Sequence, residues 1–108
     1  MRKPRVHEGN ENIFAEFGLP DAGGHFLKAQ IVAELYRLSN ELKLTQTAAG
    51  EVMGITQPEV SRLFHGNFRE YSVERLMSFL TAFNRDVEIV VRPRDAKTPG
   101  EITFTRAA

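Results

Sequence analysis

The sequence contains no cysteine, and it has no apolar run long enough to cross a membrane. Without cysteine there is neither a disulfide framework nor a thiolate metal site, so a reducing compartment is the default expectation. A transmembrane helix needs about 20 consecutive apolar residues. The basic start at residues 1–5 is not followed by the apolar stretch of a signal peptide. We therefore expect a soluble protein without a membrane partner.

An excess of either charge is also absent. The chain of 108 residues has 14 Lys+Arg and 14 Asp+Glu, so its formal net charge is +0. Nucleic-acid-binding domains are often basic overall. If this chain binds nucleic acid, its phosphate contacts must come from the local placement of charge.

Clusters of chemically reactive residues are missing as well. His7, His25 and His65 are scattered, which argues against a zinc site. Gly23 and Gly24 lack the Lys and Ser/Thr that would complete a phosphate-binding loop, and no serine stands in a nucleophile elbow. We predict no catalytic residue, no metal site and no cofactor, and hence a protein that is not an enzyme.

The first strong pattern is a helical periodicity that begins after Asp21, a residue type that caps helices. Apolar residues recur every three or four positions, which keeps one face inward: Leu27, Ile31, Leu35, Leu38 and Leu42. Charged residues occupy the other faces: Lys28, Glu34, Arg37 and Glu41. The spacing predicts a long helix that runs to about Lys43.

Two shorter helices follow, each opened by a threonine and a glutamine. Thr45 begins the first, which ends at Gly54, a residue free to take positive φ. Thr56 and Glu59 have the spacing of a capping box that starts the second, which ends at Gly66. The predicted inward residues of the two helices are Ala48, Ala49, Val52, Val60, Leu63 and Phe64. Two short helices joined by a tight turn are typical of DNA-binding proteins that place the second helix in the major groove.

Gly50 stands inside the first of these helices, where glycine costs roughly 1 kcal/mol relative to alanine. We interpret Gly50 as the place where the two helices cross closely, because a side chain there would push the second helix away.

Polar residues at the helix starts and on the outward face are the candidate DNA-binding set: Gln46, Thr56, Gln57, Ser61, Arg62, Asn67, Arg69 and Tyr71. Gln57 is placed to meet a base edge, and Arg62 to bond guanine or reach a phosphate. Gln46 opens a helix whose N-terminal N–H groups suit a phosphate. The alternative for Ser61 and Asn67 is a solvated surface position.

A last helix is predicted from Ser72, with Val73, Leu76, Met77, Leu80 and Phe83 on its buried side. The β-branched run at 86–92 then predicts a strand, and residues 102–105 form a candidate second strand. Because one or two strands are not stable alone, the economical partner is another copy of the chain. The predicted dimerisation residues are Val87, Ile89, Val90 and Val91. The alternative is an edge strand held against the same subunit.

The predicted fold is therefore all-α, with four or five helices in a helix-turn-helix arrangement and a short C-terminal β-strand or hairpin at a dimer interface. We divide the chain into an N-terminal flexible and apolar segment (1–20), a helix-turn-helix DNA-binding domain (21–84) and a C-terminal dimerisation element with a tail (85–108).

The spacing of Gln46, Gly50, Gly54, Val60 and Leu63 resembles that of the Cro/repressor, or XRE-type, helix-turn-helix, whose fold is lambda-repressor-like. More narrowly, the chain resembles HigA-like antitoxins in four segments: residues 17–22 (FGLPDA), 27–30 (LKAQ), 54–63 (GITQPEVSRL) and 86–91 (DVEIVV).

This resemblance implies a bacterial, cytoplasmic and nucleoid-associated autorepressor. Its homodimer would bind a pseudo-palindromic operator in double-stranded DNA and hold a RelE/HigB-like toxin. The apolar patch Ile13, Phe14 and Phe17 is the candidate toxin contact, and its alternative role is packing against the long helix.

Two other functions fit the same residues. One is a stand-alone XRE-family regulator without a toxin partner. The other is a protein-binding inhibitor that no longer reads DNA, a role mildly favoured by the zero net charge.

Overall fold

The computed structural model describes residues 21–95 and 97–107, and this part of the chain contains four α-helices. They are α1 (Asp21–Glu41), α2 (Gln46–Met53), α3 (Gln57–Phe64) and α4 (Val73–Ala82). Helix α2 packs against α3, and the long α1 packs against α4 and α3. The helical part of the sequence prediction is thus confirmed, with the motif helices α2 and α3 forming a pair across a short turn.

The core forms where the apolar faces of the four helices meet. Its largest fully buried side chains are Ile31, Leu35 and Leu38 of α1, Val60 and Leu63 of α3, and Leu76 of α4. Full burial of one such side chain stabilises a fold by roughly 1.5–3 kcal/mol. The core also includes Phe68 and Phe79, which the sequence analysis did not identify.

The ends of the helices follow from local hydrogen bonds. The hydroxyl oxygens of Thr45 and Ser72 accept the backbone N–H groups of Ala48 and Arg75, each at 3.1 Å. Thr56 forms a complete capping box at the start of α3. The helix starts predicted at Thr45, Thr56 and Ser72 are confirmed, and each cap contributes about 1 kcal/mol.

The turn between α2 and α3 depends on two glycines. Gly54 has φ +78°, a conformation that L side chains rarely adopt. A Cβ on Gly50 would lie 2.5 Å from the carbonyl oxygen of Ile55 and 3.2 Å from Cγ2 of Val60. The close approach predicted at Gly50 is confirmed.

Several predicted side-chain positions are wrong. Lys28 is only 5% exposed rather than on a solvent face, whereas Leu42 and Val52 are exposed rather than buried. Helix α1 ends at Glu41, and the following turn carries Leu42 away from the core. Helix α2 is rotated about its axis so that Ala49, Gly50 and Met53 are buried. Val52 therefore faces outward. Ala48 and Phe64 are half-buried.

The predicted C-terminal strand is absent from the described chain, because residues 85–95 and 97–107 form no strand. A strand needs a neighbouring backbone to accept and donate its hydrogen bonds, and no segment described here provides one. Neither the edge strand on the same subunit nor the second strand at 102–105 forms. The predicted dimerisation residues are exposed instead, Ile89 by 74% and Val91 by 92%. Phe104, farther along this segment, is half-buried against the core.

No helix within the described ranges is long and apolar enough to span a membrane. The candidate toxin contacts Ile13, Phe14 and Phe17 lie outside the described residues.

Candidate nucleic-acid interface

Helix α3 has an apolar face and a polar face, and only the apolar face packs into the protein. Val60 and Leu63 are completely buried. On the other side Gln57 and Arg62 are exposed, and Ser61 is half-exposed. The polar face is therefore free to contact another molecule along the length of the helix.

The starts of α2 and α3 are joined by a hydrogen bond between two glutamines. Nε2 of Gln57 donates to Oε1 of Gln46 at 2.7 Å, linking residues that are 11 positions apart. The bond uses one of the two N–H groups of Gln57 and leaves its amide oxygen free. An amide that presents one donor and one acceptor in the same plane matches the edge of adenine in the major groove.

Thr56 is occupied by the helix cap. Its backbone N–H and its hydroxyl both donate to Oε1 of Glu59, each at 2.9 Å, and its hydroxyl oxygen accepts the N–H of Glu59 at 3.3 Å. The backbone hydrogen bond from Thr56 is the main reason that the pKa of Glu59 lies below its usual value. Thr56 thus has a structural role, and its predicted DNA contact would be additional.

A shallow depression lies beside the C-terminal half of α3. It is lined by Glu59, Arg62, Asn67, Glu70, Tyr71 and Arg75. Three predicted residues, Arg62, Asn67 and Tyr71, therefore come together here. Burial raises the pKa of Tyr71, which favours the protonated hydroxyl.

Arg75 and Glu70 line this depression but were not among the residues predicted from the sequence. Arg75 is the cation of the two. Its guanidinium carbon lies 5.4 Å from the ring centroid of Tyr71 and 5.6 Å from that of Phe79. These distances are those of cation–π contacts. Arg75 and Phe79 are four residues apart in α4, and this spacing was a signal in the sequence because residues four apart are neighbours on a helix. Tyr71 lies just before the helix, whose N-cap is Ser72.

Arg69 lies elsewhere, in a second depression lined by His25, Gly66, Asn67, Arg69 and Glu70. Asn67 borders both depressions, and its backbone N–H donates to the carbonyl oxygen of Arg62 at 2.9 Å. The loop after α3 therefore continues the surface that begins at Gln46 and Gln57.

Among the described residues, no group of three or more His, Cys, Asp or Glu side chains could hold a metal ion. The surface offers amides, hydroxyls and guanidinium groups, together with the carboxylates of Glu59 and Glu70. All of these groups form hydrogen bonds, and the guanidinium groups neutralise anionic charge.

A core of four helices with a tight turn between α2 and α3 defines a helix-turn-helix protein. The chain belongs to the helix-turn-helix domain family, which matches residues 13–92. It is similar to a solved structure named "Putative XRE Family Transcriptional Regulator", with 36% sequence identity and a TM-score of 0.77. The similarity covers 82% of this chain and 100% of that one. No curated protein matches the chain.

Proposed function

We propose that this protein is a sequence-specific DNA-binding transcriptional regulator that acts as a repressor. The observation that carries the proposal is the exposed polar face of α3, on which Gln57 is held by Gln46. The second helix of such a motif enters the major groove. The similar structure named as an XRE-family regulator supports the same role.

Each candidate residue has a contact that suits its chemistry. Gln57 pairs with adenine, and Arg62 bonds guanine or a phosphate. The side-chain N–H groups of Gln46, together with the N-terminus of α2, bind a phosphate. The exposed Asn67 and Arg69 bond phosphates beside the groove, while Thr56, Ser61 and Tyr71 add short polar contacts.

The balanced charge of the chain makes the arginines of this surface the main source of phosphate attraction. Arg75 joins Arg62 in this role because both line the same depression. Each phosphate neutralised by such a residue steepens the dependence of affinity on salt by about 0.9 in log units. Because this surface has few arginines, we expect the affinity for DNA to depend only weakly on salt.

The test is DNA binding at a fixed salt concentration, measured with the DNA upstream of the protein's own reading frame and with a scrambled duplex. Arg62→Ala should weaken specific binding by about 1–3 kcal/mol and relax the choice of base at one position. Arg94→Ala is the matched control, because it removes an exposed arginine from the C-terminal segment. Equal affinity of Arg62→Ala and the unaltered protein would contradict the role of Arg62. Failure of the unaltered protein to bind at low salt would reject the DNA proposal.

The dimer is a further part of the proposal. The C-terminal apolar strip (Val87, Ile89, Val90 and Val91) is exposed in the single chain. A second copy that pairs with this strip would bury its side chains. The two segments could then form strands that bond each other's backbone N–H and C=O groups. The two α3 helices of such a dimer would meet DNA about 34 Å apart, so the operator would be a pseudo-palindrome. Analytical ultracentrifugation of the full chain tests this, since a monomer at micromolar concentration would exclude it.

We further propose that the regulator is the antitoxin of a type II toxin–antitoxin pair with a RelE/HigB-like toxin. The support is the resemblance of the four segments named above to HigA-like antitoxins. The family match also begins at residue 13, so it includes the apolar patch Ile13, Phe14 and Phe17.

The test is co-expression with the product of the adjacent reading frame, followed by co-purification and DNA binding of any complex. Binding of DNA without a toxic neighbour would favour the stand-alone regulator. Binding of the neighbour without DNA would favour the protein-binding inhibitor.

A further inference from the structure

Lys28 is a lysine in an unusual place for its residue type. It is 5% exposed, although lysine is rarely buried unless it has a partner. Its Nζ donates to the backbone carbonyl oxygen of Arg69 at 3.2 Å, which connects α1 to the loop after α3 across 41 residues of sequence. The side chain therefore ties down the backbone of a candidate DNA-contacting residue without using that residue's own side chain.

One turn before Lys28, a second contact reaches the same loop. The ring of His25 stacks on the ring of Phe68, with 4.9 Å between centroids and 26° between planes. Phe68 is itself buried in the core. Two neighbouring loop residues, Phe68 and Arg69, are thus held by two residues on the first part of α1.

The loop also has internal restraints. Gly66 adopts φ +98°, and the N–H of Tyr71 donates to the carbonyl oxygen of Phe68 at 3.1 Å. These contacts are short-range, so they shape the loop locally but do not fix its place relative to the helices. The contacts from His25 and Lys28 are long-range, and together with the burial of Phe68 in the core they hold the loop against α1.

We propose that Lys28, assisted by His25, is a positioning residue that sets where the loop 65–72 presents Asn67 and Arg69. The DNA part of this inference rests on the proposed function. The charge of Lys28 is directed into the protein and acts on DNA only through the loop. Loss of the contact would leave α3 and its base-reading residues in place but release the flanking phosphate contacts.

The first experiment measures hydrogen exchange in the free full-length protein, so it does not depend on DNA. Lys28→Met keeps the buried aliphatic stem and removes the donor. It should lower the protection of the Tyr71 amide, while the Phe83 amide, which donates to the carbonyl oxygen of Phe79 in α4, keeps its protection. His25→Ala should act in the same direction and serves as the second variant, because this side chain is exposed and lies outside the buried core. Lys97→Met is the matched control for loss of charge at an exposed site. Unchanged protection of Tyr71 in both variants would overturn the proposal.

The second experiment measures specific DNA affinity as a function of salt. Lys28→Met should reduce the magnitude of the salt slope by about 1 per bound chain. It should weaken affinity by at most roughly 100-fold, the scale of one hydrogen bond to a charged group. The preference among operator bases should stay as in the unaltered protein.

Three outcomes separate the inference from its rivals. An unaltered salt slope would overturn it, because Lys28 would then serve only the fold. Loss of base preference, as expected for Arg62→Ala, would also overturn it, because Lys28 would then act through α3. If the unaltered protein binds no DNA, the proposed function fails, and the exchange of Tyr71 alone decides whether Lys28 positions the loop.

Discussion

The helical region, residues 21–84, and the C-terminal segment, residues 85–107, use similar apolar residues with opposite results. In the helical region Leu35, Leu38 and Leu63 are completely buried. In the C-terminal segment Ile89 and Val91 are mostly exposed. Apolar character alone therefore does not decide burial in this chain, because burial depends on whether the same chain supplies a partner surface.

The difference originates in the backbone. A helix forms its hydrogen bonds within itself, so the four helices need only side-chain contacts to assemble. A strand must find its hydrogen bonds in another segment. The helical region is complete within one chain, whereas we propose that the C-terminal segment is completed by a second copy.

The largest expected effect is in the helical region. Leu63→Ala removes a fully buried side chain and should lower the free energy of unfolding by about 2–5 kcal/mol. Val91→Ala shortens an exposed side chain and should change the stability of the monomer by less than about 0.5 kcal/mol. Urea unfolding measures both changes, at a protein concentration too low for the chain to dimerise. Similar losses in the two variants would break the comparison.

The next effect concerns the proposed second copy. Ile89→Asp places a charge in the apolar strip and should weaken self-association at least about tenfold, since one buried isoleucine is worth roughly 1.5–3 kcal/mol. Sedimentation across a range of concentrations measures it. Asn84→Asp is the control, because it adds the same charge just outside the strip. Equal association of the two variants would leave the strip without a role in the dimer.

A smaller effect tests the border between the two regions. Phe104 is the aromatic residue of the C-terminal segment that packs against the core, and it is half-buried. Phe104→Ala should lower the free energy of unfolding by about 1 kcal/mol, a fraction of the value for full burial. Ile102→Ala, at an exposed position nearby, should have less effect. If the order is reversed, the tail is held by Ile102 instead.

The smallest effect is a dependence on pH in the helical region. The pKa of Glu59 is lowered in the folded state, mainly by the backbone hydrogen bond from Thr56. Its contribution to stability is therefore present above the pKa of glutamate in the unfolded chain, about 4.3, and is lost as the pH falls through the folded pKa. The difference in the free energy of unfolding between the unaltered protein and Glu59→Gln should therefore shrink as the pH falls below about 4.3. Glu88→Gln corrects for the change in net charge, and a difference independent of pH would contradict the capping role of the carboxylate.

Local signals in the sequence predicted much of this fold. The caps at Thr45, Thr56 and Ser72 and the glycines Gly50 and Gly54 were predicted correctly, because each depends on contacts within a few residues. The polar face of α3 followed from periodicity in the same way.

The errors concern contacts between distant segments. The burial of Lys28 depends on the carbonyl of Arg69, 41 residues away, and no local pattern contains that contact. Val52 was misplaced because the rotation of α2 about its axis is set by its packing against α3. The strand was predicted from β-branched residues, which indicate a preference but not a partner.

The hydrogen bond between Gln46 and Gln57 has a consequence for how this surface could change over time. In the proposed complex the amide at the base edge is already oriented before DNA arrives, so binding loses less conformational entropy. The two positions are then energetically coupled, and substitutions at them should not be additive. A new preference at the base read by Gln57 would then depend on both glutamines, because a change at either one removes the partner of the other amide.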